Sequence, residues 1–288
     1  MQSIQTVSEN TIYVGASDRR LAKFENLFPI PRGVSYNAYV ILDEKTALLD
    51  TADASVGAQF LENVAAALDG RKLDYLIVDH MEPDHAAMIE AVLVRWPDLR
   101  LVVNAKTLPM LKMYFPGDSA AIDDALVVKE GDTLDLGKHK LTFVMAPMVH
   151  WPEVMMTFDT TTGTLFSADA FGTFGALEGA LFADEVDFAG KWLDDARRYY
   201  TNIVGKYGVQ VQAVLKKAAG LDIETICSLH GPILHKEQLA DVLAAYDTWS
   251  AYRPETDGIL VAYTSIYGHT ADAAEQLAEE LRTKGQQV

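Results

Sequence analysis

The chain has 288 residues, 49% of them hydrophobic and 23% charged, and 24 Lys and Arg against 41 Asp and Glu leave a formal net charge of −17. So acidic a balance argues against nucleic acid or an anionic membrane surface as partner, and no apolar run approaches the roughly 18 residues that a membrane span needs. Cys227 is the only cysteine, which leaves no internal disulfide and no thiolate cluster and makes a reducing cytoplasm the simplest compartment.

The N-terminal stretch "MQSIQTVSENTIYVG" lacks the basic start and apolar core of a signal peptide. "TIYVG" and "NAYVILDEKTALLD" read as strands, the latter a hairpin turning at "DEK". "GAQFLENVAAAL" has helical spacing. "LDYLIVDH" is a short apolar run expected to be a buried strand, "AAMIEAVLVRWP" a helix ended by proline, and "LRLVVN" a further strand. More strands are expected in "ALVVKEGDTLDLGKHKLTFVMAP" and "VMMTFDTTTGTLFSADA". From Val186 to Gly220 the pattern is helical, broken near Gly205 and Gly208; "ETICSLHGP" is a last buried strand and "HKEQLADVLAAYDTWSAY" a helix after it.

Meandering strands, helical crossovers and returning strands predict an α/β fold for residues 1–252: two packed sheets with helices outside, an αββα sandwich. The polar stretch "RPETDG" suits a linker. Residues 253–288 then offer a strand, "ILVAY", a small-residue loop and an amphipathic helix.

Chemistry concentrates in "VDHMEPDHAAM", where Asp79 to His85 hold two histidines and three carboxylates directly after the apolar "YLIV". Such a loop could be solvated and inert. Pro83, however, fixes its own φ and restricts how its neighbours point, and other candidate ligands stand at the ends of later strands. His150 follows "LTFVMAPMV", Asp169 follows "GTLFSA" and His230 follows "TICSL". His139, His235 and His269 do not share the pattern and read as surface, helix-start and loop residues. His80, Glu82, Asp84, His85, His150, Asp169 and His230 make seven groups, enough for two metal ions sharing a carboxylate, since one ion takes about four to six ligands. Asp169, alone on its strand end, is the natural bridge. Asp50 and Asp79 are candidates to orient a ligating imidazole. Tyr199 could place a hydroxyl near the metals, Trp151 could wall the pocket, and Cys227 reads as a small buried apolar residue.

The pattern H-x-E-x-D-H with later His, Asp and His resembles the metal motif of the metallo-β-lactamase fold. With Glu82 where most hydrolases of that fold have histidine, and with "SYNAYVI" and "LLDTAD" among the early strands, the chain is similar to the flavodiiron proteins over essentially its whole length. The resemblance implies one iron held by His80, Glu82 and His150, a second by Asp84, His85 and His230, and Asp169 between them. A carboxylate in place of an imidazole hardens the site and favours iron over zinc.

"YTSIYGHT" follows the expected strand and precedes a helix, a position where backbone N–H groups and a helix N-terminus receive phosphate. It looks like the FMN-phosphate loop of a flavodoxin-like domain, with Thr264, Ser265, Tyr267, Gly268, His269 and Thr270 as candidate contacts. A domain of that kind needs on the order of 100–150 residues, and only its first βα unit is here. FMN is therefore expected of a full-length protein rather than of this truncated chain. The apolar face of "ILVAY" is expected to need cover from a partner chain or to be disordered.

The resemblance implies a cytoplasmic oxidoreductase that reduces O2 to water, NO to N2O, or both. It also implies a head-to-tail homodimer or tetramer that brings the FMN of one subunit to the irons of another, reloaded by a rubredoxin or a flavin reductase. The alternative is a binuclear zinc hydrolase of the same fold.

Overall fold

Side chains alternate across a strand, so a strand covered on both sides carries apolar residues at odd and even positions alike. Tyr39-Val40-Ile41, Ala47-Leu48-Leu49 and Leu76-Ile77-Val78 are all buried, and they divide as that rule requires. Tyr39, Ile41, Ala47, Leu49 and Ile77 join one cluster, while Val40, Leu48, Leu76 and Val78 join another that includes helix residues. The computed structural model, which describes residues 3–117 and 119–288, shows the sheets that produce this division.

The first sheet runs in the order Gln5–Ser8, Thr11–Tyr13, Tyr39–Leu42, Thr46–Leu49, Tyr75–Ile77, Arg100–Asn104, Leu126–Val128. Its early members pair antiparallel, including the hairpin across Asp43 to Lys45. The last four are parallel, joined by crossovers through the helices Gly57–Leu68, Ile89–Arg95 and Thr107–Tyr114. The second sheet runs Thr133–Asp135, Lys140–Met145, Met155–Asp159, Thr164–Phe166, Thr225–Cys227, Leu234–His235. Its one parallel step, from Thr164–Phe166 to Thr225–Cys227, spans a helical stretch that includes Leu193–Tyr199 and Gly208–Ala218, interrupted by a 3-10 turn at Gly205–Tyr207.

Leu141, Phe143, Met155 and Phe166 of the second sheet share the cluster of Tyr39, Ile41 and Leu49, so the sheets face one another. Phe60, Val64, Val92 and Leu111 cover the outside of the first sheet, and Val211, Val214, Leu239 and Tyr246 that of the second. This is the αββα sandwich.

The chain divides into two compact units, Met1–Ala251 and Tyr252–Val288. In the second, "ILVAY" forms no strand. A strand exists only through its partners, and among the described residues this segment is tied by the Ile259 N–H, which donates to the Gln287 carbonyl at 2.9 Å. Leu260 is 90% exposed. Two histidines also depart from expectation. His139 is buried rather than on the surface, and His269 opens the helix His269–Thr283 rather than lying in a loop. His235 stands at the start of the helix Lys236–Ser250, as its position in the sequence leads one to expect.

Candidate metal centre

Each residue of the polar set follows the end of a strand. His80 and Glu82 follow Tyr75–Ile77, His150 follows Lys140–Met145, Asp169 follows Thr164–Phe166 and His230 follows Thr225–Cys227. The shared direction of these strands delivers the side chains to one edge of the sandwich. Pro83 does more than stiffen a loop. It begins a helical turn, Pro83–Ala86, with Glu82 as its N-cap residue in extended conformation. Proline suits that place because its missing N–H would have no partner there. The turn sets Asp84 and His85 apart from Glu82. Asp50, Met148 and Ala168 hold positive φ of 53°, 65° and 49° beside the set. Such conformations cost about 1 kcal/mol or more each and persist where the surroundings over-determine them.

The seven side chains meet in two groups, His80, Glu82, His150 and Asp169 in one, and Asp84, His85 and His230 in the other. In the first, His150 Nε2 lies 3.0 Å from Glu82 Oε2 and 3.0 Å from Asp169 Oδ2, and His80 Nε2 lies 3.3 and 3.5 Å from the same two oxygens. In the second, Asp84 Oδ2 is 3.3 Å from both His85 Nε2 and His230 Nε2. Asp169 turns its other oxygen, Oδ1, towards this second group, 3.3 Å from His85 Nε2 and 3.6 Å from His230 Nε2. One carboxylate thus faces both groups.

All seven side chains are buried. Burial pushes Asp169 and Glu82 upward, but the histidines around them outweigh it and hold both carboxyls below their usual range. Burial in turn lowers His150, and its bonds to Asp169 and Glu82 more than reverse this, raising it to about 9. The residues are poised to carry positive charge at their centre. The donors also fit a pair of cations. His85 Nε2 and His230 Nε2 face each other at 3.0 Å, and Asp84 Oδ1, Asp84 Oδ2 and Asp169 Oδ1 are buried without a hydrogen-bond partner. Buried polar atoms are normally satisfied, and ions between the groups would satisfy these.

Outside the set, His230 Nδ1 lies 2.7 Å from the Ser35 carbonyl. His80 Nδ1 lies 2.9 Å from Glu153 Oε1, a partner that sequence reasoning missed. Its signal was present in "HWPE", three residues beyond His150. Asp50 and Asp79 touch no imidazole nitrogen. Asp50 Oδ1 accepts the N–H groups of Asp79 and His80 at 2.9 and 3.2 Å, and Asp79 Oδ1 accepts the Thr157 hydroxyl at 2.9 Å. Both shape the loop instead. Tyr199 is fully buried, its ring 5.4 Å from that of His230 and its hydroxyl unpartnered. Trp151 stands edge to face with His80 at 5.5 Å. Cys227 is buried. A cleft of about 330 Å3, lined by Leu21, Phe24, Tyr36, Glu82 and Asp84 among others, opens beside the set.

In residues 263–270, Gly268 takes φ +94° ahead of the helix His269–Thr283, and its N–H donates to the Ser265 hydroxyl at 3.1 Å. Thr264, Ser265, Tyr267, His269 and Thr270 are exposed.

A family model described as "ODP family beta lactamase" matches residues 34–231. The chain is 33% identical to a nitric oxide reductase of Moorella thermoacetica over 286 residues, 98% of this chain and 70% of that protein. The flavodiiron protein of Giardia intestinalis has a similar structure, with TM-score 0.92 at 28% identity over 99% of this chain and 68% of that one. So does the rubredoxin oxygen:oxidoreductase of Desulfovibrio gigas, with TM-score 0.92 at 30% identity over 99% and 70%. The chain spans only 58% of the length of the anaerobic nitric oxide reductase flavorubredoxin of Klebsiella pneumoniae, to which it is 32% identical.

Proposed function

The chain belongs to the flavodiiron family of the metallo-β-lactamase-like fold, and from that premise we propose that its seven clustered residues hold two iron ions for the reduction of NO, O2 or both. His80, Glu82 and His150 would hold one ion, Asp84, His85 and His230 the other, with Asp169 shared between them. The observation that carries this reading is the division of Asp169, whose Oδ2 faces one donor group and Oδ1 the other. Relatives named as a nitric oxide reductase and as a rubredoxin oxygen:oxidoreductase support the two substrates.

When bound, the ions supply the electrons and the position at which a diatomic molecule is held. The chain's own residues do the rest. The negative charge of Asp169, which faces both donor groups, would offset the repulsion between two cations. Glu82, an oxygen donor where an imidazole would be softer, favours iron. The Ser35 carbonyl and Glu153 turn the Nε2 lone pairs of His230 and His80 inward. Phe24, Tyr36 and Tyr199 pack their rings around that of His230 and hold it in place. Burial first, and Asp169 after it, raise the Tyr199 hydroxyl well above the usual phenol range, so it stays protonated and can donate a hydrogen bond into the site.

We read residues 1–252 as the diiron domain and residues 253–288 as the first βα unit of an FMN domain, with Thr264, Ser265, Tyr267, Gly268, His269 and Thr270 at the phosphate. A head-to-tail homodimer, a rubredoxin or flavin-reductase donor and a cytoplasmic location complete the proposal. The test is anaerobic loading with ferrous iron, metal analysis, and consumption of NO and O2 with FMN and a chemical reductant. Two irons per chain and consumption of either gas support it. A colourless protein with zinc and hydrolytic turnover would replace it with the zinc hydrolase.

A further inference from the structure

The four imidazoles are not supported alike. His80 has a buried carboxylate at Nδ1, His230 a neutral carbonyl, and His85 Nδ1 has no hydrogen-bond partner among the described residues. The carboxylate is that of Glu153, which is 1% exposed. Strand ends of the first sheet hold the backbone around it in place. The Glu153 carbonyl accepts from Asn104 Nδ2 at the end of the strand Arg100–Asn104, and two residues on the Met155 N–H donates to the Asp79 carbonyl at 3.1 Å. Glu153 Oε1 takes both His80 Nδ1–H and the Met81 N–H, each at 2.9 Å. One oxygen atom thereby ties the imidazole of His80 to the backbone segment that leads to Glu82.

Hydrogen-bond satisfaction alone does not account for an acid here. Both donors converge on Oε1, and Oε2 makes no hydrogen bond among the described residues. An amide oxygen would accept the same two bonds without the desolvation cost of a buried charge. The charge therefore has a role beyond packing, and the group it touches is the imidazole. A carboxylate behind a ligating histidine fixes its tautomer and raises its basicity.

Resting on the diiron reading above, we infer that Glu153 is a positioning residue that fixes the ring and tautomer of His80 and makes the two metal positions inequivalent. The position built from His80, Glu82 and His150 is the more electron-rich, because Glu153 adds its charge through His80. Among the described residues, no carboxylate is hydrogen-bonded to the Nδ1 of His85 or His230 at the other position.

Release of ferrous iron from the loaded full chain to a strong chelator, followed anaerobically, tests this. The wild-type chain releases its two ions in two phases. Glu153→Gln keeps the acceptor and loses the charge, and speeds one phase about tenfold; Glu153→Ala loses both and speeds that phase by up to about 100-fold. The other phase does not move, and the melting temperature of metal-free Glu153→Gln matches that of the wild type. A Glu153→Gln chain that releases both ions at wild-type rates overturns the inference and leaves the diiron site standing, whatever the fate of Glu153→Ala. A wild-type chain that takes up no pair of ions overturns both.

Discussion

The strand Lys140–Met145 begins beside His139 and leads, at its far end, into the loop that carries His150. Both histidines are buried, at 0% and 7% exposure, yet their surroundings differ in kind. His139 Nδ1 meets one carboxylate, Asp159 Oδ2, at 2.8 Å. Asp159 is completed by the Thr161 N–H and the Thr162 hydroxyl, and the His139 N–H by Asp43 Oδ2. That arrangement pins the Asp43 hairpin of the first sheet to the second. His150 instead meets two carboxylates and a crowd of imidazoles, with acceptors left over. A buried histidine is thus a structural pin where its acceptor is also served by other donors, and a candidate ligand where several acceptors converge and remain unserved.

The strongest break in this comparison is Asp169→Ala. It removes the one group that faces both donor sets, so iron content should fall from two per chain to well below one. Turnover should drop at least about a thousandfold, the scale of several kcal/mol of lost metal assistance. His139→Ala should do the reverse. Iron content stays at two, while the lost His139–Asp159 bond and the cavity left by the buried ring together cost about 3 kcal/mol, or roughly 10 °C in a thermal melt. If His139→Ala lost iron while Asp169→Ala kept it, the two ends would have to exchange roles. Tyr199→Phe sharpens the picture within the metal end. Its hydroxyl serves no structural bond, so iron content and melting temperature should hold while turnover falls about tenfold, the worth of one hydrogen bond.

The smallest expected effect lies on the strand Ala16–Asp18. The Arg20 guanidinium, against the opposing push of burial, holds the Asp18 carboxyl down to about 2. A depressed carboxyl stabilises the fold above its unfolded value, and that stability is lost as pH falls from near 4 towards 2. With Arg20 largely in solvent, the contribution is at most about 2 kcal/mol. Arg20→Ala should flatten the acid limb of a stability curve over that window and leave neutral-pH iron content unchanged.

Much of this was legible before any coordinates. The run "YLIV" ahead of "DHMEPDH" announced a buried strand ending in polar side chains, and the later His150, Asp169 and His230 announced the same edge of the sandwich. The hairpin at "DEK" and the break at Gly205 came from turn chemistry. His139 was misplaced because a lone histidine between lysines carries no sign of the Asp159 that meets it across the sheet. Glu153 was missed because its partner is 73 residues away. "ILVAY" has a strand's composition, but a strand also needs a neighbour to take its N–H groups.

The sequence by itself determined the residue types, the order of the elements and the one-residue proline signal that starts a helical turn between Glu82 and Asp84, because these depend on local dihedral preference and periodicity. Only the tertiary structure decided which oxygen of Asp169 faces which donors, that Glu153 stands behind His80, and that His139 is a pin. Those are contacts between strand ends far apart in the chain, and their distances are set by how two twisted sheets pack.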